Sequence, residues 1–153
     1  MKRALIALTI ITALFAGCGG DGDASTYEGA NPTTQIGTEV TLANGSYWRI
    51  TPAQLYAMGR ADLFLVCVDE QPSMIISGNT NLFVKYNEVS QNLDRFPTDK
   101  NQRIVVYCIA GITSQNASEA LVTAGYTKVM HLSGGTIGWN QQGYPVTNYT
   151  GAP

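Results

Sequence analysis

The apolar positions of this chain fall into short blocks whose period changes from one block to the next. Leu63 to Val68 (LFLVCV) and Arg103 to Tyr107 (RIVVY) carry near-continuous apolar runs of strand length, the pattern of strands covered on both faces. Lys128 to Leu132 reads as a third, shorter strand. Between the last two, Ala117, Ala120, Leu121 and Ala124 recur at helical spacing. They predict a helix over Ser114 to Ala124, closed by Gly125 as its C-terminal cap. A shorter helix is predicted from Pro52 to about Met58. Thr51 is placed to cap it, Pro52 suits its first turn, Gln54 completes a capping box and Gly59 ends it.

Weaker signals fill the rest. Glu39 to Arg49 alternates loosely around Asn44-Gly45, a two-residue turn signal for a hairpin or bent strand. Residues 71 to 81, with Pro, Ser, Gly and Asn, read as mostly loop. Asn87 to Phe96 is a weak helical stretch with Val89, Leu93 and Phe96 on one side, and Gly134-Gly135 starts a last turn of helix through Trp139. Strands alternating with helices over short loops predict an α/β fold, a parallel sheet with helices on both faces, as a single domain over residues 38–150.

The first eighteen residues break this pattern. Lys2 and Arg3 precede an apolar run from Ala4 to Phe15, then Ala16, Gly17 and Cys18. That order reads as a secretory signal peptide over residues 1–17, too short for a permanent span. Its end (LFAGC) resembles a bacterial lipobox, which implies lipidation of Cys18 and a membrane anchor. Gly19 to Pro32 (GGDGDASTYEGANP) buries almost nothing, so residues 18–37 read as a flexible tether. The expectation is an exported, cell-envelope lipoprotein, on the outer membrane facing the periplasm if the cell is Gram-negative.

Composition agrees. Charged residues are only 13% of the 153. Without Lys2 and Arg3, seven basic residues face eleven acidic ones, with no basic run to follow a phosphate backbone, so nucleic-acid binding is not expected.

The candidate chemistry lies at Cys108, where a strand ends and a helix begins. Loop N–H groups and the positive end of that helix favour thiolate over thiol there. From Ile104 to Val146 the landmarks accumulate: IVVYC, Gly111, the alanine-rich helix, Ala124-Gly125-Tyr126, Leu132-Ser133-Gly134-Gly135, Trp139 and Gly143-Tyr144-Pro145-Val146. Together they resemble the rhodanese-like family, with ITPAQL and LFLVCV extending the match upstream. The resemblance implies that Cys108 carries sulfur as a persulfide, cradled by Ile109, Ala110, Gly111, Ile112 and Thr113. It also implies a small sulfur donor, a thiol or protein acceptor and no cofactor. Thiosulfate users of the family carry Arg or Lys in this loop; Ile109, Ala110 and Ile112 offer none, which makes thiosulfate a poor donor. The same fold serves alternatively as a catalytically silent binding module at the membrane surface. A cysteine phosphatase would need a longer loop ending in arginine, where Thr113 and Ser114 stand.

Three cysteines are present. Cys67, in an apolar strand, reads first as packing and second as a redox partner of Cys108. Disulfide geometry across neighbouring parallel strands is demanding, so two free thiols are expected at rest. His131, the single histidine, has no second ligand near it and reads as structural; no metal site is expected.

Overall fold

A computed structural model of the chain describes residues 36–150 apart from Asn79. The leader, Cys18 and the tether up to residue 35 lie outside the described residues. Among the described residues no helix is long and apolar enough to cross a membrane.

The chain enters through an antiparallel hairpin, β1 (Thr38–Leu42) and β2 (Gly45–Ile50). Its turn is Ala43-Asn44, one residue earlier than the Asn44-Gly45 signal suggests. Gly45 instead opens β2 with a φ of +141°, while both turn residues keep negative φ. The glycine is used to bend the strand rather than to form the turn.

Helix α1 (Pro52–Met58) carries the expected capping box: Thr51 Oγ1 accepts from the Gln54 N–H at 3.2 Å, and Gln54 Oε1 accepts from the Thr51 N–H at 2.9 Å. Strand β3 (Leu63–Cys67) follows. The predicted loop over 71–81 holds a short strand, β4 (Met74–Ile76), and β5 (Leu82–Phe83) comes after it. The stretch read as α-helical is two 3₁₀ segments, Tyr86–Gln91 and Leu93–Arg95, which still bury Val89 and place Phe96 in the core. Then come β6 (Arg103–Tyr107), α2 (Thr113–Thr123), β7 (Val129–Leu132), α3 (Gly135–Gln141) and β8 (Val146–Asn148).

Six strands form the main sheet in the order β1-β2-β7-β6-β3-β5, parallel except for the opening hairpin. β4 and β8 make a separate antiparallel pair. Period-two alternation sorts the side chains of the central strands onto two faces. Val66, Val68, Ile104, Val106 and Val129 pack with Ala117, Leu121 and Val122 of α2 and with Val89. Leu65, Cys67, Val105, Tyr107 and Met130 pack with Leu55 of α1 and Trp139 of α3. Each such buried aliphatic side chain contributes about 1.5–3 kcal/mol, so both cores are needed to hold the sheet. Helix α2 ends in a Schellman motif, with Gly125 N–H on Val122 O at 2.9 Å and Tyr126 N–H on Leu121 O at 3.1 Å. That cap aims the chain back into β7, beside β6.

Candidate active site

The C-terminal ends of β3, β6 and β7 lie side by side in register, and the residues that follow them meet. After β6 the chain turns through Cys108 to Ile112 before entering α2. Ile112, at the cap position of that helix, makes no side-chain capping hydrogen bond. The sulfur of Cys108 serves instead. It accepts from the Gly111 N–H at 3.1 Å and from the backbone of Ser114, in the helix's first turn. A helix start with orphan N–H groups is stabilised by an acceptor there, and an anionic one most of all.

The resulting electrostatics follow from competing effects. Burial of the Cys108 thiol would by itself raise its pKa. The hydroxyls of Thr113 and Ser114 and the N–H groups of Ser114 and Gly111 outweigh burial, and the thiol falls below its ordinary value. The sulfur itself is buried, while Ala110 is exposed and Ile112 is 75% exposed on the rim.

Two supports hold the loop. Asp69, just past β3, accepts from the Ile109 N–H through Oδ2 at 3.0 Å. Sequence reasoning missed this carboxylate because its partner is forty residues away. The other support is the start of α3, where the N–H groups of Thr136 and Ile137 reach the carbonyls of Cys108 and Ile109, each at 3.0 Å. Close approach explains the glycines. A Cβ on Gly135 would sit 2.1 Å from Cys108 O, and one on Gly111 would sit 2.7 Å from Gly134 N. The Gly-Gly pair read as a plain turn is thus also the bed on which the loop lies. Ile137, whose N–H holds the Ile109 carbonyl, is 43% exposed and carried no signal of its own in the sequence.

Of the other sequence candidates, Cys67 is a free, buried thiol in the opposite core, with its pKa pushed up to about 11, mainly by burial. Cys108 is likewise a free thiol, its side chain joins the α2-side core, and its charge acts on Cys67 as a further, small raising effect. His131 is brought to the site: its Nδ1 lies 3.0 Å from Ser114 Oγ, which lies 3.5 Å from Cys108 Sγ. Among the described residues no three His, Cys, Asp or Glu side chains stand together as a metal cluster. A cavity of about 590 Å³, lined by Leu55, Tyr56, Arg60, Leu65 and Trp139 among others, draws on the second core and on none of the loop residues.

Residues 68–142 match the family model for the rhodanese-like domain. The chain is 28% identical over 101 residues to the thiosulfate sulfurtransferase GlpE of Haemophilus influenzae, covering 66% of this chain and 95% of that one. It is 38% identical over 47 residues to a sulfurtransferase of Allochromatium vinosum, covering 31% and 44%, so it spans under half of that relative. A tRNA uridine(34) hydroxylase of Bradyrhizobium diazoefficiens is 28% identical over 116 residues, 76% of this chain and 42% of that one. Among solved structures, a rhodanese-related protein from Thermoplasma volcanium superposes with a TM-score of 0.54 at 23% identity, covering 65% of this chain and 96% of its own. The rhodanese-like domain of an Anabaena protein gives 0.57 at 19%, covering 69% and 86%. The family match and the shared fold agree: residues 68–142 belong to a rhodanese-like domain.

Proposed function

We propose that this domain is a sulfurtransferase or persulfide carrier working through Cys108, exported and held to a membrane by lipid on Cys18. The observation that carries the reading is the sulfur cradle itself: an acidified, buried thiol at the centre of N–H and hydroxyl donors. The thiolate attacks the sulfane sulfur of a donor. A new S–S bond forms at Sγ, the donor's S–S bond breaks, and the donor leaves as a thiolate. An acceptor thiolate then attacks the outer sulfur, takes it as its own persulfide and returns Cys108 to thiolate. The anionic outer sulfur of the intermediate suits the same donors.

The loop selects among donors. Ile109, Ala110 and Ile112 offer no cation for a sulfonate dianion, so neutral or singly charged sulfane donors and an apolar acceptor surface fit better than thiosulfate. Thiosulfate turnover should therefore be low and should rise in Ile112→Arg. Good use of thiosulfate by the unaltered protein would defeat that argument.

Intact-mass measurement after exposure to polysulfide tests the central claim. The expected result is one added sulfur on the wild-type protein and none on Cys108→Ala. No adduct on either would favour a silent binding module, for which Ile112 and Ile137 offer exposed apolar side chains. The anchor is tested separately: Cys18→Ser should release the full chain from membranes and abolish palmitate incorporation.

A further inference from the structure

Three buried polar side chains form a file behind the sulfur: Cys108 Sγ, Ser114 Oγ at 3.5 Å and His131 Nδ1 at a further 3.0 Å. They come from three separate places, the loop after β6, the first turn of α2 and strand β7. All three residues are buried. A serine hydroxyl has one proton, and a neutral imidazole has one N–H, so the direction of each bond in the file is not free. We propose that His131 is a positioning residue of the Cys108 site: its Nδ1 holds the Ser114 hydroxyl, and the ring's tautomer sets whether that hydroxyl accepts from the sulfur or donates to it.

With Cys108 as a thiol, S–H donates to Ser114 Oγ, Ser114 O–H donates to Nδ1, and the ring carries its proton on Nε2. With Cys108 as a thiolate, the sulfur can only accept. Ser114 O–H then turns to the sulfur, and Oγ is free to accept from the ring, which must carry its proton on Nδ1. The thiol proton goes to solvent, and the ring exchanges one N–H for the other, so its proton count is unchanged. The second arrangement is a chain of donors ending on an anion, the stronger of the two.

The surroundings keep the ring available for this. Burial, and then the Arg49 guanidinium, lower the His131 pKa to about 4, so the ring is neutral at ordinary pH. Arg49 lies opposite His131 in the β2–β7 register, and Tyr47 of β2 meets the imidazole edge-on, with ring centroids 6.3 Å apart. Glu119 of α2 is the acidic group of this region, and its charge raises the Tyr47 phenol, itself lifted mainly by burial. Val106 of β6 sits on the other side in register. Ser118, one turn along α2, donates to Ser114 O at 2.8 Å and fixes the backbone that carries the serine.

The inference rests on Cys108 as the working sulfur, but its test reads the thiol alone and so stands if sulfur transfer fails. In the folded full-length protein, the ¹⁵N signal of His131 Nδ1 should change from the unprotonated to the protonated type as Cys108 titrates. In Ser114→Ala that change should be absent. A wild-type Nδ1 signal that stays constant through the Cys108 titration overturns the proposal. Iodoacetamide alkylation of Cys108 across pH supplies the second arm. Ser114→Ala should slow it at neutral pH about tenfold, the scale of one charge-assisted hydrogen bond, and His131→Leu about threefold. His131→Asn, which restores a donor near Nδ1, should recover most of the rate. The double variant Ser114→Ala/His131→Leu should be no slower than Ser114→Ala alone. Wild-type alkylation by folded His131→Leu, or losses that multiply in the double variant, would each overturn the inference; if His131→Leu fails to fold, the Nδ1 signal and His131→Asn decide.

Discussion

Cys67 and Cys108 sit at the same end of neighbouring parallel strands and are almost equally buried, 1% and 2% exposed. Cys67 pairs in register with Tyr107, so Cys108 is one residue further along the adjacent strand. Their chemistry nevertheless diverges. Burial dominates at Cys67 and lifts its thiol to about 11; at Cys108 burial acts in the same sense but is overcome, and the thiol falls. The difference is not depth but donors. Cys67 ends the strand with two donors, the Asp69 N–H and the Tyr107 hydroxyl, which do not offset its burial. Cys108 is the first residue past its own strand, where a loop and a helix start leave N–H groups and hydroxyls free to face the sulfur. A one-residue step across the pleat thus separates packing from reactivity.

The sharpest test of that contrast is differential alkylation. With Cys67 near 11 and Cys108 below an ordinary thiol, the thiolate fractions differ by more than about a hundredfold at pH 8, since each pKa unit is a factor of ten. Timed iodoacetamide labelling followed by peptide mass mapping should show Cys108 modified while Cys67 remains protected until the protein unfolds. Comparable labelling of both would mean that the donors do not set the difference.

Gly135→Ala attacks one side of the comparison only. The new Cβ would lie 2.1 Å from Cys108 O at a φ of +55°, so the loop must lift from α3. The expected cost is about 2–3 kcal/mol in denaturant unfolding, from strain and the two lost N–H contacts. The Cys108 alkylation midpoint should move up toward that of an ordinary thiol, with Cys67 still protected. A variant of unchanged stability and reactivity would remove α3 from the account of the site.

Alkali should separate the cysteines thermodynamically. Cys67 has its folded pKa raised, so its contribution is fully present below the unfolded value near 8.5 and is lost as pH rises toward about 11. Cys108 has its folded pKa depressed, so its contribution is present above the unfolded value and is lost as pH falls through the folded one. Wild type should therefore lose about 2 kcal/mol between pH 8.5 and 11 on account of Cys67. Cys67→Val should flatten that slope, and Cys108→Ala should leave it nearly unchanged, because the Cys108 contribution varies only below the unfolded value. Parallel stability curves for wild type and Cys67→Val would contradict the assignment.

How much of this was readable beforehand depends on how local each cause is. The capping box at Thr51–Gln54 and the strands LFLVCV and RIVVY were legible because their signals lie within six residues. So was the placement of Cys108 at a strand-to-helix junction. β4 and β8 were not legible: each is three residues long, and they pair only with each other, Met74 against Asn148. The 3₁₀ segments kept the apolar side that suggested an α-helix, since segments of three and six residues do not distinguish the two periods. Around the sulfur, the loop residues were visible in sequence, while Asp69 and His131 acquire their roles only when β3, β6 and β7 align.

Asp69 touches both halves of the comparison, and its substitution has the smallest effect expected here. Its Oδ2 accepts from the Ile109 N–H at 3.0 Å, which holds the loop; its backbone hydrogen bond lowers the Cys67 thiol, while its charge raises it. Asp69→Asn keeps an acceptor in place and removes the charge. The loop should therefore stay seated and the alkylation midpoint of Cys108 should move little. Cys67 should become slightly more acidic, because burial is the main cause of its raised value and the charge a minor one. Asp69→Ala removes the acceptor as well, leaving the part-buried Ile109 N–H unpaired at a cost of about 1 kcal/mol. Thermal unfolding of the two variants side by side separates charge from hydrogen bond. If Asn and Ala destabilise equally, the carboxylate acts by its charge, and the loop is held by α3 alone.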